Sequence, residues 1–414
     1  MFFGWRTSLT SAQWYLCAIG TALCLTFLAI FGSQHFTMTK KWQDNVSQIS
    51  STVMFWYRGI DIYRHPMTEI ATELPTAEIP PKFLTDVDQE RYFWIPELGK
   101  EKPMFFVWPY IPRPYPPGAW LWHAPSALMV YGLDVPLKAG IFFNSLLCIF
   151  VAHIAFMLFF NRLQEIKTSL DAPSRFWKFC YGFTLFIVYC EFMNWTMQGQ
   201  YDLIAMLFVV GSIDSFLQRR WSSALFWYGI ALFFHLRSLL LLGLVPLCVW
   251  QLLKSWEWLK PSQALRWGSA LVLAAIGAMV FYWNSSFLTN SELFPLNHWH
   301  YSVLGKRHLW ELIVVPVTLI SIFYYWIRHR LWALMAIGLS IQLVFMATPQ
   351  VRAWYAMFIL PAFLLLPKGN VAKNALPVTL LFYIGTASMY ASESPFEFNF
   401  IVEIFKSIQG TINN

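Results

Sequence analysis

The sequence predicts an all-α polytopic membrane protein, with about 11 transmembrane helices and a long first extracytoplasmic loop that carries interfacial helices. Three observations predict it. Only 12% of the 414 residues are charged, against roughly 25% in a soluble domain. Hydrophobic residues make up 57% of the chain, and its mean hydropathy is +0.48. Apolar segments of helical length recur from Trp14 onward, with Lys and Arg gathered in short clusters between them.

That placement of the basic residues also reads the net charge of +7. Clusters between apolar segments are where the positive-inside rule puts them, so the expected partner is a lipid bilayer and not a nucleic acid. The six cysteines fall inside or at the edges of apolar segments and form no CxxC pair. They read as small buried side chains, without a disulfide framework or a zinc site.

Residues 1–33 read as a signal anchor. "WYLCAIGTALCLTFLAIFG", Trp14 to Gly32, is long enough to span, has no small-residue cleavage site and follows Arg6, which sets the N-terminus in the cytoplasm. Residues 34–136 form the extracytoplasmic loop. Trp42, Val46, Ile49, Val53, Trp56 and Ile60 recur at steps of four and three, while Lys40, Lys41, Asp44, Asn45, Gln48 and Ser51 occupy the other face. This is an amphipathic helix over about 40–60, lying on the outer surface. Glu69 to Tyr115 is rich in proline and acid and reads as an irregular lid.

The segment 119–132, "AWLWHAPSALMVYG", decides the topology. At about 14 residues, with His123 and Pro125 inside it, it is short for a span and reads as re-entrant or interfacial. Every basic cluster between spans then falls on the cytoplasmic side, from Arg162, Lys167, Arg175 and Lys178 to Lys368 and Lys373. The transmembrane bundle occupies 137–391, with spans expected near 137–161, 177–194, 201–218, 221–235, 238–253, 267–283, 309–327, 331–347, 353–366 and 374–391. Residues 392–414 form an extracytoplasmic tail. No internal repeat of the transporter kind is visible.

This topology gathers polar, aromatic and basic residues on the outer face. In "MFWYRGIDIYRHP", Asp61 either pairs with Arg58 or Arg64 at a helix end or serves as a general base, its acidity tuned by burial and by the arginines. Arg58, Tyr63 and Arg64 would then face a sugar or acceptor, since aromatic rings offer flat apolar faces with polar edges. In "MNWTMQGQYD", Gln200 and Asp202 sit at the outer end of a span. Asp202 either N-caps the next helix or, with Gln200, hydrogen-bonds substrate. In "FHLRS", His235 and Arg237 lie at an outer hinge. Arg237 either snorkels to the headgroups or holds a phosphate through its forked donors, with His235 beside it. His298 and His300 in "NHWHYS" have no neighbouring carboxylate, so they suit hydrogen bonds to a sugar or phosphate better than a metal. Arg352 in "TPQVRAWY" stands on the outer side against the charge trend, either as a second anion ligand or in a structural salt bridge; Gln350 beside it would face sugar or acceptor.

Taken in order, these features resemble the GT-C class of membrane glycosyltransferases. They look most like the actinobacterial family 87-type polyprenyl-phosphate-mannose-dependent mannosyltransferases and the mannosyltransferase that starts the GPI glycan core. The resemblance lies in "IDIY" in the first outer loop, in a Tyr-Pro step at Tyr115 opening "YPPGAWLWHAPSAL", and in the mid-helix Asn144. It continues through the polar turn "NWTMQGQYD", the hinge "FHLRS" and the late "TPQVRAWYAMFILP". Two departures occur. Some members carry Asp-x-Asp where this chain has Asp61 followed by Tyr63, so a divalent metal is not favoured; and the hinge base is usually Lys, where His235 and Arg237 stand here.

The resemblance implies a GT-C-like fold and an inverting enzyme that moves a hexose from a polyprenyl-phosphate donor to a hydroxyl of a lipid, glycan or protein acceptor. Asp61 would be its base, His235, Arg237 and Arg352 its donor-phosphate ligands, and Tyr115 a member of the sugar and acceptor site. No cofactor is expected. Compact loops point to a bacterial inner membrane with a periplasmic active site. An oligosaccharide polymerase or ligase using lipid-diphosphate sugars fits less well, because its large loop usually comes late. A lipid-linked sugar flippase or transporter would show repeats and charges at the bilayer midplane.

Overall fold

The computed structural model of the chain describes residues 9–29, 48–49, 52, 117–133, 135, 137–197, 199–254, 266, 269–270, 273, 309–347 and 353–390. Among the described residues the fold is all-α and contains no strand. In chain order the helices are α1 (Ser11–Phe27), α2 (Pro117–Ala127), α3 (Leu137–Thr168), α4 (Arg175–Met197), α5 (Asp202–Leu217), α6 (Trp221–Phe234), α7 (Leu244–Lys254), α8 (Leu309–Arg328), α9 (Trp332–Ala347) and α10 (Ala372–Tyr390). A π-helical turn, Leu128–Gly132, extends α2, and two 3₁₀ segments run over Leu236–Leu241 and Ala353–Leu365.

Helix α1 starts earlier than its apolar run suggests because Thr10 builds a capping box. Its hydroxyl accepts from the Gln13 amide and the Gln13 side chain accepts from the Thr10 amide. Gln13 also pairs reciprocally with Asn161, at 2.6 and 3.2 Å, while Gly20 packs on His153. These contacts lay α1 antiparallel against α3. At 32 residues, or about 48 Å, α3 is the long strut of the bundle.

The larger part of the described core is an apolar cluster shared by α3–α6, α8–α10 and the segment Ala353–Leu365. That segment lies in the middle of it. Met357, Ile359 and Phe363 are fully buried, and α3, α4, α5, α9 and α10 all touch it.

One end of the bundle is closed by a polar clamp. Arg162 on α3 donates to the carbonyls of Leu364 (3.3 Å) and Leu366 (3.2 Å) and pairs with Glu165, which also takes Lys368. Asn370 donates to Asp171, and the Trp177 indole donates to the Ala372 carbonyl.

Several expectations are corrected. The span expected at 238–253 is broken into Leu236–Leu241 and α7, because the chain passes too close to α9 to stay regular. A Cβ at Gly243 would lie 2.2 Å from the Ala336 carbonyl oxygen, and the Gly243 amide donates to the Ser340 hydroxyl. The span expected at 353–366 is a 3₁₀ segment containing Pro361, whose ring and missing N–H oppose α geometry. Of the amphipathic helix over 40–60, Gln48, Ile49 and Thr52 are described. They are helical, but Gln48, assigned to the polar face, is as buried as Ile49. The rest of that helix, the lid, the C-terminal tail and all of the span at 267–283 except the helical residues 269, 270 and 273 lie outside the described residues. All six cysteines are unbridged and five are buried.

Ala139–Thr168 is the one described helix long and apolar enough to cross a membrane alone; shorter apolar helices include Trp221–Phe234 and Trp332–Met346. The outward faces carry large apolar side chains in the open. Leu16, Ile19 and Leu23 on α1, Phe176, Phe179 and Phe186 on α4, and Ile313, Val317 and Ile320 on α8 are all exposed.

Candidate functional site

The end of the bundle opposite the clamp is built around glycines. Helix α2 seats its first turn directly on the last turn of α6. A Cβ at Gly118 would come within 2.7 Å of the Phe233 carbonyl oxygen and 2.8 Å of Phe234 Cα. From there α2 runs antiparallel to α3, and the Trp122 indole donates to Asn144 Oδ1 at 2.8 Å. Asn144 then donates through Nδ2 to the Gly199 carbonyl at 3.0 Å. Gly199 has φ +76°, a left-handed turn that glycine adopts without a Cβ penalty. One buried asparagine thus ties α2, α3 and the α4–α5 turn together.

That turn delivers Tyr201 and Asp202 to the start of α5. Tyr201 is the N-cap and its side chain makes no capping bond, which corrects the reading of Asp202 as the cap. Asp202 instead stands in the first helical turn, where a carboxylate also suits the positive end of the helix dipole. Its Oδ1 accepts from His235 Nε2 at 2.8 Å, and both residues are buried. His235 ends α6 with extended backbone (φ −154°, ψ 129°), so its ring turns off the helix axis toward α5. Cys148, which lies near Asp202, packs with Ala119, Tyr201 and Ile204 beneath this pair.

A row of rings crosses the same region. His123 meets Tyr201 edge-on at 5.4 Å, Tyr201 meets His235 at 5.7 Å, and His235 meets Phe358 at 5.6 Å. The row joins α2, the polar turn, the hinge after α6 and the segment Ala353–Leu365. His123 is fully buried in it. Its Nδ1 donates to the Ala119 carbonyl at 2.8 Å, and burial pushes the imidazole down to about 4, so the ring is neutral.

Of the residues singled out in the sequence, the structure brings Asp202 and His235 into contact and sets Gln200, half-buried, in the adjoining turn. The backbone of Arg237 lies in the 3₁₀ segment two residues past His235. Arg58, Asp61, Tyr63, Arg64, Tyr115, His298, His300, Gln350 and Arg352 lie outside the described residues. Sequence reasoning used His123 only as a reason to doubt a span, and it passed over Tyr201 and Phe358. The available signal for His123 was an imidazole inside an otherwise apolar helix.

Gly118→Val tests the seating of α2. The branched side chain meets backbone atoms that cannot rotate away, so the variant is expected to lose about 1–3 kcal/mol of stability. Thermal unfolding of the detergent-purified protein measures this, and an unchanged midpoint would show that α2 does not rest on α6.

No family model matches this chain, and comparison with the curated proteins and with the solved structures yields no match either.

Proposed function

We propose that this chain is a polytopic membrane glycosyltransferase of the GT-C kind, which moves a hexose from a polyprenyl-phosphate donor to an acceptor hydroxyl on the extracytoplasmic side. The observation that carries the reading is the buried Asp202–His235 pair, set where α2 seats on α6 and at the end of α5 opposite the Arg162 clamp. Helix α5 has 16 residues, which separates the two ends by about 24 Å. Charged chemistry at one end and structural cations at the other suit a bundle that faces two compartments. The exposed Leu, Ile and Phe on α1, α4 and α8 support a bilayer as the surrounding solvent, since soluble monomers rarely leave such faces uncovered.

In this mechanism Asp61 takes the proton of the acceptor hydroxyl. The freed oxygen attacks the anomeric carbon from the face opposite the phosphate, the bond from that carbon to the phosphate oxygen breaks, and polyprenyl phosphate leaves with the electron pair. Inversion follows from the single displacement. Negative charge grows on the departing phosphate, and His235, Arg237 and Arg352 stabilise it in a water-poor site. Asp202 holds the His235 ring in place for that task. Tyr63, Tyr115, Gln200, His298, His300 and Gln350, with Arg58 and Arg64, supply walls and hydrogen bonds for sugar and acceptor.

The test is direct transfer. The purified protein in lipid vesicles is given labelled polyprenyl-phosphate hexoses together with envelope lipid, glycan or protein acceptors. Product with the anomeric configuration inverted is expected. Failure of every donor, or a product of retained configuration, would overturn the reading.

A further inference from the structure

His123 carries an unmet hydrogen-bond demand. Its Nδ1 faces the Ala119 carbonyl, which only accepts, so the ring proton sits there and Nε2 presents a bare lone pair. Nε2 is buried and has no hydrogen-bond partner among the described residues. Leaving such an acceptor unsatisfied costs a fold stability. An apolar residue at this place would avoid the cost. The Ala119 carbonyl would lose nothing essential, because position 123 lies one helical turn on, where its own backbone N–H reaches that carbonyl. The helix around it, Pro117–Ala127, is otherwise apolar apart from Ser126, one turn further, whose buried hydroxyl oxygen likewise has no hydrogen-bond partner among the described residues.

The lone pair also stands in a telling place. Tyr201 separates His123 from the Asp202–His235 pair, with ring centroids 5.4 Å away on one side and 5.7 Å on the other. One side of the tyrosine offers the Asp202–His235 pair and the other an acceptor that requires an O–H or N–H donor. We infer that His123 Nε2 accepts a hydrogen bond from a hydroxyl of the bound saccharide, which makes His123 a specificity-determining residue of the site. The inference rests on the glycosyltransferase reading and deepens it. The hydroxyl belongs either to the donor hexose or to the acceptor, and kinetics separate the two.

The experiment uses two variants of the full chain in lipid vesicles. His123→Leu removes the acceptor and keeps an apolar filler. His123→Gln returns an acceptor oxygen near the place of Nε2. Unfolding midpoints are measured beside transfer from polyprenyl-phosphate hexoses, including singly deoxygenated donors and acceptors. His123→Leu is expected to unfold at or above the wild-type temperature, yet to lose transfer efficiency by about 10-fold or more. His123→Gln is expected to recover most of it. The wild type should discriminate against one deoxy position, and His123→Leu should lose that discrimination; the position falls on the donor or on the acceptor and so names the source. Equal turnover by His123→Leu overturns the inference and leaves the glycosyltransferase reading standing. A lowered unfolding temperature that accounts for the lost activity overturns it too, by making His123 structural. A wild type without transfer removes the reading itself and this inference with it.

Discussion

Asp61→Asn is expected to cut transfer from a polyprenyl-phosphate hexose by a factor of about 100 to 10,000, the range that general-base catalysis contributes. The amide keeps the shape of the carboxylate and its ability to accept a hydrogen bond, but it cannot take a proton at neutral pH. Its neighbours sharpen the expectation. Arg58, Arg64 and His65 surround this acid in sequence, and no other carboxylate lies between Asp44 and Glu69. Folding and membrane insertion should be unaffected, so the loss should fall on kcat with little change in KM for the donor. Wild-type-like turnover in a correctly inserted Asp61→Asn protein would remove Asp61 from the mechanism.

The second large effect concerns the Asp202–His235 pair. Removing one member strands the other in a buried place, so Asp202→Leu and His235→Leu are each expected to destabilise the protein by about 3–5 kcal/mol. Replacing both, as Asp202→Leu with His235→Leu, fills the same space without a polar group left over. The double variant should regain most of that stability while transfer stays lost, because the proposed mechanism needs His235 at the donor phosphate. A double-mutant cycle on denaturant unfolding measures the coupling. A coupling near zero would mean that the 2.8 Å contact does no mutual work. Restored transfer in the double variant would exclude His235 from the chemistry.

The sequence and the structure agree best where a helix has an unambiguous apolar run. The segments expected at 201–218 and 374–391 are helices, Asp202–Leu217 and Ala372–Tyr390. Agreement fails where a distant contact overrides the local pattern. Nothing near Gly243 announces that its backbone will meet Ala336 on another helix, so the break between Leu241 and Leu244 was invisible. Apolar residues buried on every side carry no period, which is why Ala353–Leu365 could be read as a span without revealing that its turns are 3₁₀.

The site divides in the same way. Asp202 and His235 were each legible as costly polar residues at the ends of apolar runs. Their pairing was not, because it depends on how α5 and α6 lie together. Asn144 stood out as a mid-helix amide, yet Trp122 and Gly199, which it joins, come from segments on either side of it in the chain. His123 shows the opposite failure. Its single backbone partner is local, and what marks it is the partner it lacks.

The Arg162 clamp has a consequence for how the protein is made. The carbonyl of Leu364 lies 202 residues downstream of the guanidinium it serves. At ribosomal speeds of about 5–20 residues per second, that guanidinium waits roughly 10–40 s for its last ligands to be synthesised. During that interval the nascent polypeptide holds a half-satisfied cation beside a vacancy that only its late, 3₁₀-wound portion can fill. The carbonyls that close around Arg162 thus arrive only with Leu364 and Leu366, and the remaining members of the clamp, Lys368, Asn370 and Ala372, follow within the next few residues.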